Sequence, residues 1–177
     1  MAFVEEGALA VSLADLKGYL RIELAAEDAL LTRLIRVATD LCERFVGQGL
    51  MQRDAEEVMP VTGAWQRLSA RPVVAIESVM GVPAEGAEFA LPVESYAVDI
   101  DRNGDGWVKV MTPGAAGRVR VRYRAGLAAD ADAVPQGVRQ GIVRMAAEMH
   151  VQRDGEAVVS PAAVVALWRP WRRMRLS

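Results

Sequence analysis

The sequence has one cysteine, Cys42, and one histidine, His150, among its 177 residues. A single thiol excludes a disulfide within the chain, and no cluster of Cys, His, Asp or Glu has metal-ligand spacing. Catalysis by His150 would need a nucleophile or carboxylate in a recognisable motif, and none is present. We therefore expect no catalytic residue, no metal and no cofactor, with Cys42 in a core and His150 hydrogen-bonded near a helix end.

Long apolar runs are also missing. None approaches the roughly 20 residues that a membrane-spanning helix needs, and no charged segment followed by an apolar core resembles a signal peptide. We expect a chain made in a reducing cytoplasm, with no membrane partner. The formal net charge is −2, so the molecule as a whole lacks the positive field with which non-specific DNA-binding proteins attract DNA.

Helices are predicted at both ends of the chain. Ser12 followed by Asp15 is a capping-box pattern at a helix start. A longer apolar stripe at helical spacing then runs until Gly47 ends it. Its residues are Leu30, Leu34, Val37, Leu41 and Phe45. After the middle of the chain, Pro135 opens a third helical pattern, closed by Gly155, and a short helix is predicted from Pro161 to Trp168.

The middle of the chain reads as β structure. From about Glu56 to Tyr123, turn residues recur every eight to twelve positions between runs rich in Val, Ile, Tyr and Trp. The run "RVRVRYRAG" alternates strictly, which places its arginines on one sheet face. These are Arg118, Arg120, Arg122 and Arg124. Either they bind DNA or a neighbouring subunit, or they form a solvated face paired with Glu and Asp of adjacent strands, which we favour.

The stretch "DIDRNGDGWVKV", residues 99–110, resembles a calcium loop because Asp99, Asp101 and Asn103 alternate before a glycine. The twelfth position, which must supply a bidentate carboxylate, is Val110, and strand-like runs flank the loop instead of helices. Asn-Gly and Asp-Gly pairs tolerate the positive φ angles of a tight reversal. The stretch therefore predicts a β-hairpin and no calcium site.

The end of the chain, "LWRPWRRMRL", concentrates two tryptophans and four arginines. Exposed indoles and guanidiniums are the side chains most enriched at protein-binding hot spots. Either this tail folds back on its own body or, as we favour, it docks on another protein. We expect removal of the chain after Ala166 to leave the fold intact.

Taken in order, these segments resemble the head-tail connector (adaptor) proteins of tailed bacteriophages and gene transfer agents. The likeness begins with "SLADLKGYLRIELAAEDALLTRLIRVATDLCERFVGQGL" and continues through "RPVVAIESV", "SYAVDI", "RVRVRYRAG" and "VPQGVRQGIVRMAAEMHVQRDG" to the basic, aromatic end. It covers nearly the whole chain. The "RNGDG" tip corresponds to no family feature.

The resemblance implies an α+β fold: a small antiparallel bundle of about four helices with an inserted antiparallel β region and an extended carboxy-terminal tail. Within one connector domain, residues 12–50 are the helical pair, 56–125 the β insertion, 134–168 the carboxy-terminal helices and 169–177 the docking tail. The portal-binding residues would be Trp168, Arg169, Trp171, Arg172, Arg173 and Arg175.

The function implied is structural, without enzymatic activity. Such proteins form a ring, expected to be twelvefold, in the neck of a virion or phage-like particle assembled in the bacterial cytoplasm. The partners implied are the portal protein, neighbouring copies, the next tail component (a stopper or tail terminator) and packaged DNA passing through the lumen. The alternative is a nucleic-acid-binding module that uses the arginines of residues 118–124 and the basic tail.

Overall fold

The structure is a computed structural model, which describes residues 8–152 and 161–173 together with the backbone of residues 2–3. The chain divides into two compact units: a β unit of residues 1–7 and 52–127, and a helical unit of residues 8–51 and 128–177. No helix in the described ranges is both long enough and apolar enough to cross a membrane.

The described residues of the helical unit form four α-helices. They are α1 (Leu13–Leu20), α2 (Asp28–Val46), α3 (Gln136–Val151) and α4 (Ala162–Trp168), with 3₁₀ turns at Ala25–Glu27 and Arg169–Trp171. The predicted capping box starts α1: Ser12 Oγ accepts a hydrogen bond from Asp15 N at 3.0 Å, and Asp15 Oδ2 accepts one from Ser12 N at 3.4 Å. Gly47, with φ of 73°, ends α2.

The core of this unit is made by all four helices. Its fully buried side chains include Leu16 of α1, Ile35 of α2, Ile142 and Met145 of α3, and Trp168 of α4. Close-packed apolar surface of this kind is the main stabilising contribution in a helical unit, because isolated helices of these lengths are marginal in water.

The described residues of the β unit form eight strands in two antiparallel sheets. The strands are β1 (Ala2–Phe3), β2 (Arg53–Pro60), β3 (Gln66–Arg67), β4 (Val73–Pro83), β5 (Phe89–Ala90), β6 (Tyr96–Ile100), β7 (Gly106–Val110) and β8 (Ala116–Ala125). The five-stranded sheet has the order β1-β2-β8-β4-β5, and the three-stranded sheet the order β3-β7-β6.

Strand β8 is central in the larger sheet, and its alternation is as predicted. Val119, Val121 and Tyr123 are fully buried. The Tyr123 hydroxyl donates to Glu57 Oε2 and accepts from Ala70 N, each at 3.1 Å. Burial raises the pKa of this hydroxyl, so it stays protonated and able to donate. The arginines between these residues therefore share the opposite face of the sheet.

The predicted α+β class is confirmed: the described residues form four α-helices and antiparallel sheets, and the β region is inserted in the chain between α2 and α3. The first long strand begins at Arg53, before the boundary expected at residue 56, and the two-residue strands β1, β3 and β5 were not predicted. Gly155 lies outside the described residues, and α3 ends at Val151. That the whole chain acts as a single connector domain stays a prediction.

Candidate functional site

Trp168 lies at the end of α4, and its side chain has 0% exposure in the helical core. Its ring centroid is 6.0 Å from that of Phe45, and its Nε1 donates to Val138 O at 3.4 Å. The expectation that this indole is exposed was wrong, because it packs against Phe45 of α2 and against Val138 and Gly141 of α3. Truncation after Ala166 would remove this buried tryptophan, so the structure leads us to expect a loss of stability in place of the intact fold predicted from the sequence.

Gly141 of α3 provides the space that Trp168 occupies. A Cβ built at Gly141 would overlap the indole at Nε1 and would lie 2.8 Å from its Cδ1. Gly137, one helical turn earlier, contacts α4 less tightly, with Leu167 O at 3.5 Å from a Cβ built there. The glycine at 141 therefore lets α4 approach α3 closely enough to bury the indole.

After Trp168, the chain lies against the carboxy-terminal end of α2. Gln48 Nε2 donates to Trp171 O at 3.2 Å, and Arg173 N donates to Val46 O at 2.9 Å. The Arg172 guanidinium lies 5.4 Å from the ring centroid of Phe45, in cation–π geometry. A cation at this position is also favourable because the last carbonyls of a helix carry partial negative charge.

These contacts leave side chains of the tail exposed. Trp171 has 37% of its side-chain surface exposed, and Arg169 and Arg172 are exposed as well. Arg173 is half-buried. Arg175, the last predicted portal-binding residue, lies outside the described residues. Arg169, Trp171 and Arg172 thus lie exposed on one short segment that is bonded to the end of α2. Trp168, in contrast, is part of the helical core.

The arginines of β8 form ion pairs with carboxylates of the neighbouring strands. Arg120 pairs with Glu56 of β2, and also with Glu88, at 2.7 Å from Nη2 to Oε1. Arg122 pairs with Glu56, and Arg124 with Asp54 and Glu77. Among the described residues, no ion pair involves Arg118, which is exposed. The paired, solvated face that we favoured is therefore what the sheet presents.

The ion pairs with Arg120 and Arg122 make the Glu56 carboxyl easier to ionise. Hydrogen bonds from Arg122 and Arg120 hold the pKa of Glu56 below its ordinary value. Hydrogen bonds to Glu88 and Glu56 raise the pKa of Arg120, and a hydrogen bond to Asp54 raises the pKa of Arg124. Four carboxylates thus offset three guanidiniums, those of Arg120, Arg122 and Arg124, and a phosphate backbone would have to displace these carboxylates in order to bind there.

The "RNGDG" stretch is the turn of a hairpin between β6 and β7, which pair antiparallel from Tyr96↔Val110 to Ile100↔Gly106. Asp101 Oδ1 accepts hydrogen bonds from the backbone nitrogens of Asn103 at 2.8 Å and Asp105 at 3.0 Å. Gly104 has φ of 74°. The predicted hairpin is confirmed, and the Asp101 carboxylate is occupied with backbone donors.

Known proteins show the same architecture. A model of the phage gp6-like head-tail connector protein family matches residues 10–80. A chain in the neck of an empty GTA particle, computed with C6 symmetry, is 26% identical, with a TM-score of 0.80 over 100% of this chain and 98% of that one. No curated protein matches this chain.

Two further structures agree. A chain in the virion of a native gene transfer agent (GTA) particle is 25% identical, with a TM-score of 0.76 over 99% of this chain and 96% of that one. A chain in the neck of a native GTA particle, computed with C12 symmetry, is 24% identical, with a TM-score of 0.78 over 100% and 98%. The family match over residues 10–80 and the likeness to these structures over nearly the whole chain confirm the predicted resemblance to head-tail connector proteins.

The connector has a structural role in its particle and is not an enzyme. Its two candidate reactive residues have structural positions. Cys42 is fully buried in the helical core, and burial raises the pKa of its thiol. His150 Nε2 lies 3.1 Å from Glu27 Oε2, which ties the end of α3 to the turn before α2. In the described ranges, no group of three potential ligands is placed to hold a metal.

Sequence reasoning missed several residues that form the connector's tail site. Gln48, Phe45 and Gly141 position the tail, but each lies far from it along the chain. One feature of the sequence, the spacing of Gly137 and Gly141, could have indicated the site. Two glycines four positions apart lie on the same face of a helix, where another element can pack closely. That spacing shows where close packing occurs and not which element fills it.

Proposed function

We propose that this connector forms a ring in the neck of a phage or gene transfer agent particle, assembled in the bacterial cytoplasm. The ring joins the portal protein on one side to the next tail component, a stopper or tail terminator, on the other. Packaged DNA passes through its lumen. Each copy contacts neighbouring copies, and we expect twelve of them.

The ring proposal is supported by the symmetry of the particles that contain similar chains. Those neck structures were computed with C6 and C12 symmetry. Closed rings use heterologous contacts, in which two different patches of each subunit meet, so each copy also retains surfaces for partners along the axis. The exposed tail is one such surface.

The observation that carries portal docking is the way in which the tail is held. Backbone and side-chain contacts fix residues 171–173 against the end of α2, while Arg169, Trp171 and Arg172 stay exposed. Holding binding groups in place before association reduces the entropy lost on binding. A tryptophan flanked by arginines is typical of a binding hot spot.

We assign portal contact to Arg169, Trp171, Arg172, Arg173 and Arg175, and a positioning role to Trp168. A buried indole cannot touch a partner while the helical core is intact. It instead fixes the point at which the tail leaves α4. Arg118, Arg120, Arg122 and Arg124 remain proposed as a subunit contact, since ion-paired faces fit a charged neighbour better than a polyanion.

The test is portal affinity, measured by calorimetry on the purified full-length connector. We expect Trp171→Ala to weaken binding about 30-fold, which corresponds to a hot spot of about 2 kcal/mol. We expect Arg172→Ala to weaken it by about tenfold, and Arg33→Ala, an exposed arginine of α2, to leave it unchanged. Wild-type affinity in both tail variants would overturn the docking assignment.

A further inference from the structure

Strand β6 is one of the two outer strands of the three-stranded sheet, and no strand in the described part of the chain pairs with its other edge. On the β7 side, Met111 N donates to Ser95 O at 2.8 Å and Asp101 N donates to Asp105 O at 3.0 Å. In an antiparallel ladder, alternate residues make these hydrogen bonds. The odd-numbered residues therefore face β7, and Tyr96, Val98 and Ile100 direct their N–H and C=O groups outward.

The same residues carry apolar side chains that β7 does not cover. Val98 is paired with Val108, so both side chains lie on the same sheet face. Val108 is 1% exposed, whereas Val98 is 43% and Ile100 39% exposed. The apolar face of this sheet thus continues past β7 and ends uncovered at β6. Proteins usually protect such an edge, because its free backbone groups accept an added strand.

The charge at this edge defines the strand that fits it. Glu94, just before β6, and Asp99, within it, are exposed. Neither carboxylate forms an ion pair with any residue that the structure describes. Strand β6 itself has no basic residue. An added strand that alternates apolar and basic residues would cover Val98 and Ile100 and neutralise Asp99.

A second copy of this chain does not meet that requirement through β6. Pairing of two β6 strands would place two acidic edges side by side, and like charges across a ladder are destabilising. It would also make a two-fold contact, which does not build a ring. The other outer strands, β1, β3 and β5, have two residues each and are too short to pair along β6.

We infer that β6 is a docking edge for an extended, alternately apolar and basic strand of a different protein of the particle, which joins the three-stranded sheet as its fourth strand. The inference rests on the connector role proposed above. It adds a second partner surface, on the β unit, to the tail surface on the helical unit. Backbone hydrogen bonds at Val98 and Ile100 supply affinity, and Asp99 supplies selectivity for basic strands.

The test separates this edge from the tail. Proline at position 98 removes one outward N–H and no ladder hydrogen bond, and edge strands tolerate proline where the N–H faces solvent. In particles assembled with Val98→Pro, we expect the fraction of tailed particles to fall at least tenfold, while portal affinity and thermal stability stay at wild-type values. Val98→Thr retains the N–H and the β-branched shape, and should assemble normally.

A second measurement uses the wild-type protein, and therefore tests the docking edge even if the proline variant folds poorly. In wild-type connector, amide hydrogen exchange at Val98 and Ile100 should slow at least tenfold on assembly into particles. Ala97 and Asp99, whose amides bond to β7, should already be slow in the isolated protein. Equal exchange of Val98 and Ile100 in both states, or normal tailing with Val98→Pro, would overturn the inference. Portal binding by the tail would stand in either case.

Discussion

Gly141 is the residue on which burial of Trp168 depends. Because a Cβ at this position would overlap the indole, we expect Gly141→Ala to force α4 away from α3 and to lower the free energy of unfolding by about 1–3 kcal/mol, as overpacking does. Gly137→Ala is the matched control. Its Cβ has room and alanine favours the helix, so stability should be unchanged or slightly higher.

Urea unfolding followed by circular dichroism measures both variants. Equal stability of the two alanine variants would mean that α4 does not pack on Gly141. Portal binding provides a second readout, because an α4 that has shifted also displaces the tail that follows it. Gly141→Ala should therefore weaken portal binding as well as stability.

The two tryptophans show what sequence can and cannot predict for single residues. Trp168 and Trp171 are three positions apart with the same arginine-rich neighbours, and the sequence treats them alike. One is fully buried and the other exposed. The difference depends on the contacts of Trp168 with Phe45, 123 positions earlier, and with Gly141, 27 positions earlier. Roles that depend on local chemistry, such as the Ser12 cap, were predictable; roles that depend on distant contacts were not.

The β6–β7 hairpin is held by the Asp101 side chain. Asp101→Ala removes an acceptor for two backbone N–H groups, and we expect a loss of about 1–2 kcal/mol of stability. Arg102→Ala, at the neighbouring exposed position, should have no effect. Thermal unfolding measures both. Calorimetry with calcium should show no binding heat in the wild-type protein, and heat that disappears in Asp101→Ala would contradict the hairpin assignment.

The ion pairs of the larger sheet predict a pH dependence. The pKa of Glu56 is lower in the folded protein than its ordinary value of 4.5, chiefly through the Arg122 hydrogen bond. The stabilisation is therefore present above pH 4.5 and is lost as the pH falls through the lowered pKa. Glu56→Gln should be less stable than wild type at pH 7, by a margin that shrinks toward zero as the solution is acidified.

Urea unfolding between pH 7 and pH 3 measures that margin. Glu85→Gln, at an exposed position with no ion pair to another described residue, is the control and should match wild type throughout. The effect should also weaken in high salt, since Glu56 and Arg120 are partly exposed to solvent and Arg122 is exposed. A stability difference for Glu56→Gln that is independent of pH would show that the carboxylate charge is not its cause.

Helices and strands were predictable from the sequence where their pattern of apolar residues was long. Helix α2 and strand β8 were predicted because their apolar residues recur over many positions. The start of β2 was missed because "RDAEE" carries charges on both sides, and the reason is visible only in the sheet, where Asp54 and Glu56 meet Arg124 and Arg122. Strands β1, β3 and β5 were missed because two residues are too few to show the alternation that marks a strand.

The whole molecule should bind DNA weakly. Its net charge is −2, and carboxylates pair with three of the four arginines of β8, namely Arg120, Arg122 and Arg124. We expect no binding to duplex DNA at about 150 mM salt and micromolar protein in fluorescence anisotropy. Replacing both Glu56 and Glu88 with glutamine should release Arg120 and produce measurable, salt-dependent binding at low salt. Tight wild-type binding with a steep salt dependence would favour the nucleic-acid-binding alternative.

Recognition of the family drew on the order of moderately specific segments over the whole chain, which is why it succeeded where no single motif was decisive. The assembly is less accessible to sequence. Which face lines the lumen and how many copies close a ring depend on the geometry between subunits, and no residue pattern within one chain encodes an angle between two copies directly.

Electron microscopy of particles assembled without this chain tests the connector role most directly. The account predicts DNA-filled heads and separate tails, with few joined particles, and restoration of joined particles when the wild-type chain is supplied. Particles that keep their tails and deliver DNA normally in its absence would contradict it.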